Sequence, residues 1–276
     1  MKLAYSTYGM QKLDIFDALP RLRDMGYEGI EIAATPGWPT EPARLDAGAR
    51  KRLAGLLGEL DFGTPPIMAL LNPCVEGEGR AAQLAQFEAT FDLARDLRID
   101  DATPVVTTTL GHPTPAWDGG RERIADLVRE VADLAAPRGV VVALEPHAGH
   151  DFETPEKAAW LMRRADHPHL GLNFDYSHFW VEGMDLEHCI ELNLPYAVHN
   201  HIKDGYLDEE GRVVYLLPGD GKLDLAVYLQ AMHKAGWEGV ICPEVTGQIW
   251  KLDDYDAWAT AQFCYDALDK ARQSLN

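Results

Sequence analysis

Val140-Val141-Val142-Ala143-Leu144-Glu145-Pro146-His147 is an apolar run that ends abruptly in a carboxylate, a proline and an imidazole. Such a run reads as a strand buried on both faces whose C-terminal end emerges into polar surroundings. The same pattern returns in Leu170–Asp175, in Tyr196–Ile202 and in Gly239–Val245. Upstream, Lys2–Ser6, Gly29–Ala33, Pro66–Leu71 and Pro104–Thr108 complete a set of eight strand candidates. Amphipathic stretches lie between them, among them Asp14–Met25, Arg80–Leu97, Arg121–Ala136 and Leu223–Ala235, and Tyr255–Gln273 follows the last strand. Gly26 and Gly236 stand where helices commonly stop. Strand and helix alternating eight times with no low-complexity linker predicts an α/β fold, a single (β/α)8 TIM barrel over residues 1–276, with a doubly wound open sheet as the weaker alternative.

The 276 residues contain 25 Lys and Arg against 44 Asp and Glu, a formal net charge of −19. A field of that sign repels phosphodiester backbones and anionic lipid, so neither nucleic acid nor membrane is an expected partner. The opening residues, Met1–Asp14, hold no apolar run of signal-peptide length, and no stretch reaches the ~20 apolar residues that span a bilayer. A cytoplasmic location is expected. Cys74, Cys189, Cys242 and Cys264 are far apart and read as reduced, buried thiols. Gly219-Asp220-Gly221-Lys222 lacks the spacing of a phosphate loop and reads as a β/α turn.

Active sites of barrels lie at the C-terminal strand ends. Here four consecutive strands bring a carboxylate (Glu145), a second carboxylate (Asp175), an imidazole from His199-Asn200-His201, and a third carboxylate (Glu244) to one rim. Three carboxylates converging without a cation would raise one another's pKa values, and a bound divalent ion keeps them ionised together. Three oxygen donors and one nitrogen suit Mn²⁺, Mg²⁺ or Co²⁺ ahead of Zn²⁺, and Mn²⁺ is the expected cofactor. An open ion of this kind can hold adjacent oxygens of a sugar, polarise a carbonyl and stabilise an enediolate.

The motifs Leu144-Glu145-Pro146, Phe174-Asp175-Tyr176-Ser177-His178, His199-Asn200-His201-Ile202-Lys203-Asp204, Gly219-Asp220-Gly221 and Pro243-Glu244-Val245 resemble those of the xylose isomerase-like barrel superfamily of sugar isomerases, epimerases and inosose dehydratases. The resemblance covers nearly the whole chain. It implies Glu145, Asp175, His201 and Glu244 as ligands of one divalent ion, and Glu145 and Glu244 as the catalytic acid/base pair of a sugar isomerase or epimerase acting on a ketose or related keto-sugar. The same ligands would serve a lyase that expels a β-leaving group after removing the α-proton. Ketose 3-epimerases of the family carry an arginine where this chain has Leu207, and the His-x-Lys-Asp string is closer to hydroxypyruvate isomerase-like and inosose dehydratase-like branches. An apurinic endonuclease-like activity is disfavoured, because strand three ends Leu70-Leu71-Asn72-Pro73 without a histidine and the charge is wrong for DNA. Self-association into a homo-oligomer is compatible with the resemblance.

The resemblance also places His178 against the substrate oxygens, and Lys203 at the rim against an oxyanion or a neighbouring acid. His147, His112, Trp38 and Trp117 are further candidates for contact with a carbohydrate substrate, the tryptophans by stacking on a sugar ring. His150, Tyr5, Ser6, Tyr8 and Glu31 are additional rim residues, and His199 shares the face of His201 because the two are two positions apart on a strand.

Overall fold

The computed structural model describes residues 1–111 and 115–275. Its strands are β1 (Lys2–Ser6), β2 (Gly29–Ala33), β3 (Ile67–Met68), β4 (Val105–Thr108), β5 (Val141–Leu144), β6 (Leu170–Asp175), β7 (Ala197–Ile202), β8 (Asp204–Leu207), β9 (Val213–Leu216) and β10 (Val240–Pro243). All but β8 and β9 pair in parallel and close into an eight-stranded barrel in the order β1-β10-β7-β6-β5-β4-β3-β2. β8 and β9 form a separate antiparallel hairpin between β7 and the next helix. The helices are α1 (Ile15–Met25), α2 (Ala47–Glu59), α3 (Arg80–Asp96), α4 (Trp117–Ala135), α5 (Pro155–Ala165), α6 (Tyr176–Val181), α7 (Leu186–Asn193), α8 (Leu225–Lys234), α9 (Gly247–Trp250) and α10 (Ala257–Gln273). This is the (β/α)8 barrel expected from the alternation. None of the described helices is long and apolar enough to cross a membrane.

Local chemistry sets the element ends. Asp14 accepts the Phe16 amide hydrogen at 2.8 Å and starts α1, which satisfies one of the unpaired donors of a first turn. Gly26 stops it at φ +111°, and a Cβ there would lie 2.3 Å from Tyr265 Oη. Thr154 caps α5, with Pro155 at its first position. Leu19, Leu22, Leu53, Leu57, Phe87 and Phe91 turn inward and are fully buried. Each such side chain contributes roughly 1.5–3 kcal/mol of burial free energy.

β3 is shorter than the apolar run Pro66–Leu71 suggests. Ala69 still donates to Thr107 O at 2.9 Å, but the Thr108 hydroxyl then takes over, donating to Leu71 O at 2.6 Å and accepting from Leu71 N at 3.2 Å. A side chain thus ends the ladder at the rim.

Candidate active site

Register brings the polar strand ends to one level. Asp175 is opposite His201 across β6 and β7, and His201 is opposite Cys242 across β7 and β10. Glu145 continues the ladder beyond β5 through its amide to Thr108 O at 2.8 Å, and Glu244 beyond β10 through its amide to Ile202 O at 3.1 Å. Metal-binding atoms of Glu145, Asp175, His201 and Glu244 all lie within 4.8 Å of one another, and all four residues are buried.

Two imidazoles flank Glu145. His178 Nδ1 accepts from Tyr215 Oη at 2.8 Å and from Ala148 N at 3.3 Å, so its Nε2 donates to Glu145 Oε1 at 3.0 Å. Asn173 Nδ2 bonds Glu145 Oε2 at 3.0 Å and His201 Nδ1 at 2.9 Å. His201 Nε2 faces Glu31 Oε2 at 2.9 Å on the other side. Glu31 is itself held by Thr107 Oγ1 at 2.9 Å. Its Oε1 is 3.3 Å from His199 Nε2. A carboxylate on one ring nitrogen directs the lone pair of the other toward a metal and fixes the ring plane.

The ammonium of Lys203 sits among the acids, bonded to Asp175 and Glu244 and 3.6 Å from Glu145 Oε1. Lys203 is fully buried. A buried cation persists only where carboxylates surround it.

Electrostatics separates the two glutamates. Burial works to raise both. At Glu145 the Lys203 ammonium, the hydrogen bond from His178 and the nearby His201 ring overcome it and hold the carboxyl well below its usual range. At Glu244 burial, aided by the charge of Glu145, outweighs Lys203, and the pKa is raised. Burial opposes a charge on Lys203, yet Asp175, Glu244 and Glu145 raise its pKa well above that of an ordinary lysine. Burial also opposes a charge on His201, and Glu31 and Glu145 reverse this and raise it.

Above the acids is a cavity of about 370 Å³ lined by Tyr8, Met68, Leu70, Glu145, His147, Tyr215, Glu244, Gln248 and Lys251, among others. That is the size range of small-molecule sites. Glu145 and Glu244 are the members of the four-residue set that reach its wall; Asp175 and His201 lie below. A depression of about 710 Å³ beside the hairpin, lined by Trp180, Tyr206, Leu207 and Lys222 among others, holds none of the four.

The other residues singled out from the sequence distribute as follows. His147 lines the cavity, stacks on His150 and packs at a tilt against His178. His178 is buried behind the wall, with both ring nitrogens engaged, and acts on Glu145. Trp38 is also behind the wall, stacked on Tyr8 with ring centroids 5.2 Å apart. Trp117 packs on Phe152 and Trp160, away from the cavity. His112 lies outside the described residues. Tyr215, Gln248 and Lys251 are cavity residues that sequence reasoning did not reach. Tyr215 could have been found from Val213-Val214-Tyr215-Leu216, a strand-like run following Asp208-Glu209-Glu210-Gly211-Arg212, which is a hairpin-turn signal.

A family model described as a xylose isomerase-like TIM barrel matches residues 19–263. The chain belongs to that family. Within it, the chain is 31% identical over 147 residues to an inosose isomerase of Bacillus subtilis, covering 50% of this chain and 51% of the relative. It is 27% identical over 137 residues to an inosose dehydratase of Geobacillus thermodenitrificans, covering 45% of each. The match thus spans about half the length of these curated relatives. The fold is that of Escherichia coli 3-keto-D-glucoside 4-epimerase, with a TM-score of 0.75 at 19% identity over 99% of both chains.

The strand-end residues of this xylose isomerase-like barrel fit a divalent ion. The donor set is three carboxylates and one imidazole braced from behind by Glu31. The same carboxylates already hold a cation, the Lys203 ammonium, and Asn173 Oδ1 is buried beside them without a hydrogen-bond partner among the described residues. Glu31, His199, His201 and Cys242 form a second close cluster. It lies beneath the first, and Glu31 is committed there to His201 and Thr107.

Proposed function

We propose that the protein is a divalent-metal-dependent enzyme that isomerises or epimerises a ketose or related keto-sugar by proton transfer. The observation that carries this reading is the exposure of both Glu145 and Glu244 to the cavity from strands separated by β6 and β7. Two carboxylates approaching one small cavity from different strands can remove a proton from a substrate carbon and return one from another side.

Glu145, Asp175, His201 and Glu244 would hold the ion, Mn²⁺ by our assignment. When bound, it supplies Lewis acidity that makes the carbon beside a carbonyl acidic and offsets the charge of the resulting enediolate. Glu145, which accepts a hydrogen bond from His178 Nε2, starts as the base. Glu244, which lines the cavity from a different strand, is the group that returns a proton to the carbon. Tyr8 lines the cavity, and burial together with the charge of Glu244 pushes its pKa up to about 12. Its hydroxyl therefore keeps its proton and donates to substrate oxygens. Met68 and Leu70 add apolar surface and Gln248 and Lys251 polar groups to the lining, which suits a ligand with both kinds of surface.

A second reading is elimination. The similarity to an inosose dehydratase favours it, and the first step at Glu145 would be unchanged. Incubating the Mn²⁺-loaded protein with ketoses, keto-inositols and 3-keto-glycosides, with products followed by NMR, separates the two. An isomer or epimer of a keto-sugar is the expected product. An unsaturated product moves the protein to the lyases, and no turnover of any keto-sugar contradicts the assignment.

A further inference from the structure

We propose that Lys203 is the resident cation of the carboxylate cage, and that its ammonium and the divalent ion are alternative occupants. Ion binding then expels the ammonium toward Tyr215 and the cavity. The inference rests on reading Glu145, Asp175, His201 and Glu244 as a divalent-ion site.

The main chain of Lys203 is fixed. Its amide donates to Ser177 Oγ at 2.7 Å, and the same hydroxyl donates to Lys203 O at 2.7 Å. Any rearrangement is therefore confined to the flexible side chain, whose four-carbon stem can carry the charge elsewhere. Its ammonium touches Asp175 and Glu244 and approaches Glu145, so it contacts all three carboxylates of the proposed ligand set. A divalent ion needs those oxygens at bonding distance, and two cations in one cage repel. The other neighbour offered to the ammonium is the face of Tyr215, 5.3 Å from Nζ. Tyr215 lines the cavity, so a lysine displaced that way stays on the floor of the site. There a cation steadies an oxygen that gains negative charge.

In the absence of the ion the ammonium offsets one of the three carboxylate charges. The metal-free barrel is thereby kept foldable, at a cost to ion affinity. Lys203 is thus a competitor of the ion for the cage, and a cation for the substrate once the ion is in place.

The test is calorimetric titration of Mn²⁺ into the metal-stripped wild type and Lys203→Met, with melting curves of both. The variant is expected to bind Mn²⁺ about tenfold or more tightly, the scale of coupling between two ligands at linked sites. Its metal-free form should melt below the wild type, and added Mn²⁺ should close that gap. If the wild type binds Mn²⁺ and the variant binds it no more tightly, the exchange is refuted while the metal site stands. If neither binds Mn²⁺, the metal site fails and the exchange with it. Should Lys203→Met be recoverable only with metal bound, transfer of its ion to a chelator is compared with the wild type. Slower release supports the exchange, and equal or faster release contradicts it.

Discussion

His201 is held between two carboxylates, with Nε2 2.9 Å from Glu31 Oε2 and Nδ1 3.5 Å from Glu145 Oε2. The deeper contact orients the ring, and the shallower nitrogen faces the cage. Glu31→Gln keeps the shape but removes the charge that raises the basicity of the ring. We expect a loss of about 10–100-fold in divalent-ion affinity, with far-UV circular dichroism unchanged. Metal titration of the variant checks it, and unaltered affinity would remove Glu31 from the site.

Replacing either cavity glutamate should stop proton transfer without unfolding the barrel. Glu145→Gln and Glu244→Gln should each lower turnover by about 10²–10⁴-fold, the usual contribution of a positioned acid or base. Metal content measured on the same samples separates loss of the proton-transfer group from loss of the ion. Activity within a few-fold of wild type in both variants would rule out the roles given to them.

Acid should weaken the metal-stripped protein through Glu31 and Glu145. Burial alone would raise both, but His201 and His199 hold Glu31 low, and Lys203, His178 and His201 hold Glu145 low. A carboxyl whose folded pKa lies below its unfolded value of about 4.3 gives stability that is complete above that value and is lost as pH falls through the folded one. His201 has the opposite sign. Its raised folded pKa gives stability that is present below about 6.5, the unfolded value, and fades on the alkaline side. Melting temperature against pH should therefore drop at both ends, and Glu31→Gln should flatten both limbs. A profile identical to that of the wild type would show that these contacts are not formed in solution.

Tyr215 reaches from β9 to His178, which in turn holds Glu145. Tyr215→Phe deletes that hydrogen bond and should cost about 1 kcal/mol of stability. Because the longer Ala148 amide bond alone then holds His178 Nδ1, kcat should fall more than KM rises. Steady-state kinetics beside a thermal melt distinguishes this from a purely structural effect, which would move the melt alone.

The barrel was legible because it rests on strong, local signals, while the grouping of Glu145, Asp175, His201 and Glu244, which the geometry brings together, was implied by the family resemblance. Buried parallel strands such as Val141–Leu144 are nearly uniform apolar runs, and a strand end that switches to Glu145-Pro146-His147 announces the rim. The hairpin was missed because β8 and β9 are short, and Tyr206 and Leu207 are exposed, so no clean alternation marks them. The family resemblance places His178 against substrate oxygens. Only the packing of Tyr215 and Ala148 shows that both its nitrogens are spoken for. Pairing of Lys203 with a neighbouring acid is one of the two roles the His-x-Lys-Asp string implies, but its full burial among three acids follows from the closing of the barrel, which no local pattern encodes.

The most direct test of the central claim is carbon-bound deuterium in D₂O. Wild-type protein loaded with Mn²⁺ should place solvent deuterium on the carbon next to the carbonyl of its keto-sugar, at a rate that falls sharply in Glu145→Gln. Turnover with no deuterium entering either product or recovered substrate, at any stage of the reaction, would contradict proton transfer through these carboxylates.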